Sequence, residues 1–217
     1  MARRRPKRMK VTGRAIPLLL AMSSVVTLAI TWLGVREATA DSQTAILALL
    51  PNLAVWACGL VAVTFLVVGA RHRPFGAISH GALVHWTVTA GVIDHIAFAR
   101  AGPLSGLTYG ADVGLNSVMP VLVAVHWLIL APKAGLVLRD VLFWIAGPLV
   151  CFAVALGRGA LTGDYGYPFL DVTGLGLVAV AINVVLIGLA LGGGGLVLIG
   201  LARFRPSPQV RPSSSRR

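Results

Sequence analysis

Histidines, hydroxyls and a single carboxylate interrupt the long apolar runs of this 217-residue chain, and they are its candidates for chemistry. His85 and Thr89 stand four apart, so on a helix they share one face. An imidazole beside a hydroxyl is the minimum set for an activated oxygen nucleophile. No third, orienting group shares that face. The alternative is that Thr89 bonds to its own helix carbonyl and His85 bridges helices. Asp94 stands next to His95, but neighbours on a helix point about 100° apart and do not form a ready pair. Asp94 is read as a proton-relay group, as an acid paired to His126, or as a wet residue at the membrane interface. Asn52 follows Pro51, Asn116 and Ser117 precede Pro120, and Asn183 lies in the last apolar run.

Metal chemistry finds no pattern. His-Glu-x-x-His spacing is absent, and no cysteine or carboxylate cluster joins the histidines. Cys58 and Cys151 sit in apolar runs and read as small core residues. No metal and no cofactor are expected.

The elements that carry these residues are membrane helices. The chain is 57% hydrophobic and 12% charged, with mean hydropathy +0.85. Soluble domains carry roughly 25% charged residues. About 20 mostly apolar residues span a bilayer, and six segments qualify: 15–35, 44–70, 80–99, 113–131, 141–156 and 176–202. The expected fold is all-α, one bundle of six spans over 15–203, with basic tails at 1–14 and 204–217. Pro51 should kink the second span. The run Gly192 to Gly195 should weaken the sixth or break it, and Gly188 with Gly192 forms a G-x-x-x-G packing pair.

Charge fixes the orientation. With six spans, all of the nineteen Lys and Arg residues except Arg36, Arg100 and Arg158 fall on one side. The positive-inside rule then puts both termini in the cytoplasm. Ala38-Thr39-Ala40 resembles a signal-peptidase site, but the preceding apolar run is longer than the usual 7–15 residues of a signal core, so the first span is expected to be retained. The formal charge of +12 sits in tails and short loops with no recognition motif. It points to anionic lipids, not to nucleic acid. The Ala, Gly, Val and Arg bias hints at a GC-rich bacterial genome, and so at the plasma membrane. The loop from Gly157 to Asp171 mixes turn residues with Tyr165, Tyr167 and Phe169. It reads as an interfacial anchor, with a lid as the alternative.

Certain strings carry a resemblance. These are Asp112 to Pro120 (D-V-G-L-N-S-V-M-P), the Y-P-F-L-D of Tyr167, Pro168, Phe169, Leu170 and Asp171, G-A-L-V-H-W-T-V-T-A-G-V in the third span, and Asn183. The chain resembles a family of six-span bacterial membrane proteins that looks related to the eukaryotic androgen-induced membrane proteins. The resemblance implies hydrolysis of fatty acid esters of hydroxy fatty acids by an intramembrane Thr with a His from another span. A hydroxyl needs a neighbouring base, and histidine titrates where it can serve as one. Carried over residue by residue, Asn52 matches the relatives' Asn and Pro120 their Pro. The nucleophile position is then Ala48 and the base position Asn116. Neither residue type can do the work. Thr44 and His126 are the conceivable substitutes, although a 1 Å displacement costs on the order of a hundredfold in rate.

Three readings follow. One is a membrane protein of this family without the hydrolase pair, with a cavity open to a lipid-like small molecule. The second is a lipid-ester hydrolase with a rearranged site. The third is a small proton-linked carrier.

Overall fold

The computed structural model describes residues 12–39, 41–71, 75–98 and 104–204, and all of its regular structure is helical. Both basic tails lie almost wholly outside the described residues, as do Ala40, Arg73 and Arg100. Helix α1 covers Thr12–Ala38, α2 Ser42–Leu49, α3 Leu53–Arg71 and α4 Ala77–Ala97. One long rod then runs through α5 (Gly106–Val113), a π-helical turn (Gly114–Val118) and α6 (Met119–Ile129). Helix α7 covers Arg139–Thr162, and α9 covers Leu177–Phe204 after the short α8 (Val172–Leu175).

Five helical rods are long and apolar enough to cross a membrane: α1, α3, the α5–α6 rod, α7 and α9. Large apolar side chains stand exposed along all of them, such as Leu19, Val63, Val121, Leu142 and Leu189. Helix α4 is not among the five. Its His80, His85, Thr87, Asp94 and His95 lower its hydropathy. It packs on α3, the π turn, α6, α7 and α9, while Val88, Val92 and Ile96 stay exposed on one side.

Two expectations about the spans are corrected. The segment 44–70 is not one kinked helix; it breaks between α2 and α3. Pro51 has no N–H to continue the ladder, and Asn52 restarts it by accepting the Val55 N–H on its side-chain oxygen at 3.1 Å. The glycine run does not break α9, which is continuous from Leu177 to Phe204. Among these glycines it is Gly195, not the Gly188/Gly192 pair, that sits tightly against a neighbouring helix. A Cβ on Gly195 would come within 2.6 Å of Val141 Cγ1, whereas one on Gly188 would meet nothing.

Candidate functional site

A small, partly open cavity of about 80 Å³ lies where α2, α3, α4 and the π turn meet. Ala48, Asn52, Asp94, Asn116 and Tyr167 line it. The break at Pro51 and Asn52 makes its roof irregular, and the loop after α7 covers it. Gly163 (φ 78°) and Gly166 (φ 72°) take left-handed conformations that turn this loop back over the bundle. The buried Tyr167 hydroxyl then accepts the Leu53 N–H at 2.9 Å, satisfying the first donor of α3. Burial pushes the Tyr167 phenol above its ordinary pKa. Pro168–Leu170 forms a 3-10 turn, Phe169 packs on Tyr167 and Phe152, and the Asp171 side chain caps α8 through the Gly174 N–H at 2.9 Å. The loop aromatics therefore pack inward rather than anchoring at an interface.

On the floor of the cavity, Asn116 Nδ2 donates to Asp112 Oδ1 at 2.9 Å, and the Asp94 side chain reaches Asp112. Asp112 was not among the sequence candidates. It lies four residues before Asn116, so the helix itself brings the two together.

The structure separates the other candidates. Thr44 is spent on a cap: its N–H and hydroxyl donate to Asp41 at 2.8 and 2.9 Å, and it does not line the cavity. Those bonds, the backbone one first, hold the Asp41 carboxyl below its usual range. His126 is at the opposite end of the bundle, its ring stacked on His80 at 5.7 Å and edge-on to Phe65 at 4.7 Å. His80 and Asp94 are separated by about 21 Å along α4, so an Asp94–His126 pair does not form. His85 faces α9, with Nε2 2.9 Å from Leu191 O, and its buried Nδ1 has no partner. Thr89 and Asn183 line a separate apolar groove of about 390 Å³ between α4 and α9. Asn183 also holds the loop through the Phe169 carbonyl at 2.9 Å. No group of three metal-ligating side chains converges among the described residues.

One contact escaped sequence reasoning. Ser117 Oγ lies 3.4 Å from His95 Nε2, and His95 Nδ1 lies 2.8 Å from Gly91 O. The local cause is readable. Pro120 offers no N–H to the Asn116 carbonyl four residues earlier, and the rod takes a wide π turn there. That carbonyl docks against Gly91, where any Cβ would collide with it. His95, one turn beyond Gly91, is thereby set beside Ser117. Both line an apolar groove of about 540 Å³ between α4 and the α5–α6 rod.

No family model, curated protein or solved structure matches this chain.

Proposed function

We propose that this is a six-span integral protein of a bacterial plasma membrane with both termini in the cytoplasm. It belongs with the family it resembles, it lacks that family's hydrolase pair, and its small cavity receives the polar group of a lipid-like small molecule. One observation carries the reading: Ala48 and Asn116, matched to the relatives' nucleophile and base, line the same cavity although they are far apart in sequence. That convergence supports the residue-by-residue carry-over. The cavity has room for a few waters or one small polar group, and Asn52, Asn116 and Asp94 offer it polar partners.

The count of six adds α4 to the five apolar rods. Its 21 residues extend about 32 Å, close to the hydrocarbon thickness of a bilayer. Its His80 and His85 are buried among the other helices, so those imidazoles need not meet lipid. The basic tails would meet anionic lipid headgroups.

A cysteine placed at Ser215, read in intact cells with a membrane-impermeant maleimide, tests the topology. It should label only after the cells are opened, and labelling in intact cells overturns the orientation. Native mass spectrometry of the purified protein should show a retained lipid-like ligand that Ala48→Trp displaces. Equal retention in that variant removes the cavity from the proposal.

A further inference from the structure

We propose that the cavity and the groove between α4 and α9 form one site for a single-chain amphiphile ending in a primary amine, with the ammonium seated at Asp94 and the chain laid along the groove. This rests on the reading that the cavity receives the polar group of a lipid-like molecule; it adds which polar group, and where the apolar part lies. Three observations carry it. First, the two spaces adjoin. Ile93 lines both, and the loop covers both, with Tyr167 on the cavity and Phe169 on the groove, their ring centroids 5.1 Å apart. Second, the groove suits a chain. Its volume of about 390 Å³ is that of a small-molecule site. From Val88 to Ala97 along α4 it extends about 14 Å, and apolar residues of α9 such as Leu186 and Leu191 form its other wall. It runs from the loop end of the bundle toward the middle, as an amphiphile does with its head at the membrane edge.

Third, the negative charge is at the end where the head would sit. Asp94 lies in the last turn of α4, where the final carbonyls add partial negative charge. Its carboxyl is hydrogen-bonded to that of Asp112, which also receives Asn116 Nδ2. Ionised carboxylates only accept, so this bond requires one shared proton, and the pair holds a single negative charge. The neighbouring groups are otherwise engaged. His95 Nδ1 is at the Gly91 carbonyl, Tyr167 takes the Leu53 N–H, and Cys151 Sγ is 3.3 Å from Pro51 O. Arg158, close to Gly166, is tied to Asp164 at 2.6 Å. Among the described residues no cation pairs with Asp94 or Asp112. An acid or a phosphate would meet repulsion at this site, and a neutral alcohol would leave its charge unanswered. Binding therefore exchanges one cation for another. The ammonium donates its N–H groups to Asp94, the shared proton leaves to water, and both aspartates end as carboxylates. One ammonium enters, one proton departs, and the net charge of the site is unchanged.

The test uses the full chain in phosphatidylcholine nanodiscs and a long-chain primary amine with a mid-chain diazirine, the adduct being mapped by peptide. Labelling should saturate and fall on α4 and α9, around Val92 and Leu186. An unlabelled amine should compete about tenfold better than the alcohol or the acid of equal length, as a charge-assisted hydrogen bond outweighs a neutral one. Apparent affinity should rise with pH, by at most about tenfold per pH unit for one proton released. Asp112→Asn removes the partner of the shared proton; it should keep the amine preference and flatten the slope, whereas His95→Gln should leave the slope unchanged. Asp94→Asn should abolish the preference, and Ala190→Trp, at an exposed position lining the groove, should abolish the labelling. Competition and slope are read on the wild-type chain, so they decide the matter even where a variant fails to fold. Equal competition by amine, alcohol and acid, adducts on α6 instead of α9, or a slope that survives in Asp112→Asn overturns the proposal. If the three compete equally yet Ala48→Trp still displaces a retained ligand, the cavity reading stands and the amine falls. If Ala48→Trp changes neither ligand retention nor amine labelling, both fall.

Discussion

The two ends of the bundle are built on opposite plans. At the end holding Arg71, Lys133, Arg139 and Arg203, large rings fill the space. Trp127 and Trp144 are almost fully buried, and Phe65 packs edge-on to both His80 and His126. The Trp144 indole N–H donates to Ile78 O at 3.0 Å, and Lys133 lies over the Trp127 ring at 5.2 Å. At the other end the backbone is interrupted at Pro51, widened at Gly114–Val118 and folded back at Gly163 and Gly166. Those departures hold open a cavity and set Ser117 beside His95. Close packing fills one end; backbone irregularity leaves a cavity in the other.

Substitutions at the two ends should separate these plans. The largest effect is expected for Trp144→Ala, which opens a void in the filled end. It should cost about 4 kcal/mol, read as a fall in the melting temperature of the detergent-solubilised protein. Gly91→Ala comes next, at about 2 kcal/mol, because its methyl group meets the Asn116 carbonyl. It should also push the π turn away from α4 and break the Ser117–His95 contact. Tyr167→Phe strands the Leu53 N–H and should cost about 1 to 2 kcal/mol. The loop should then become open to protease while the tryptophan end keeps its fluorescence. The smallest effect is expected from paired substitutions. Ala48→Val, facing the cavity, should change stability by less than about 0.5 kcal/mol, while Ala62→Val in the packed face of α3 should cost about 1 kcal/mol or more. Equal costs would erase the contrast between the ends.

Much of the fold was legible because apolar length marks helices: six segments stand out in the sequence, and five of the resulting rods, all but α4, are long and apolar enough to cross a membrane. What sequence missed came from tertiary context. A lone proline in an apolar run reads as a kink, yet Pro51 with the capping Asn52 ends one helix and starts another. Consecutive glycines read as a weak point, yet α9 stays whole, and away from water every backbone group is best satisfied inside a helix. The candidate site was half visible. Asn52, Asp94 and Asn116 stand out as polar groups in apolar runs, and they do share a cavity. Ser117 and His95 are 22 residues apart on different helices, and no periodicity links them. Their one signal is indirect: Gly91 a turn before His95, and Pro120 four residues after Asn116.

The packing of α4 against four other helices bears on how the chain is made. As it leaves the ribosome, this segment is the least able of the long ones to settle in lipid alone, and the carbonyl that receives His85 belongs to Leu191 in the final helix. If α4 is the sixth span, its insertion should be completed late, after α9 has been synthesised. Nascent chains cut after Ile129 should leave α4 outside the hydrocarbon, where an engineered glycosylation acceptor would report it.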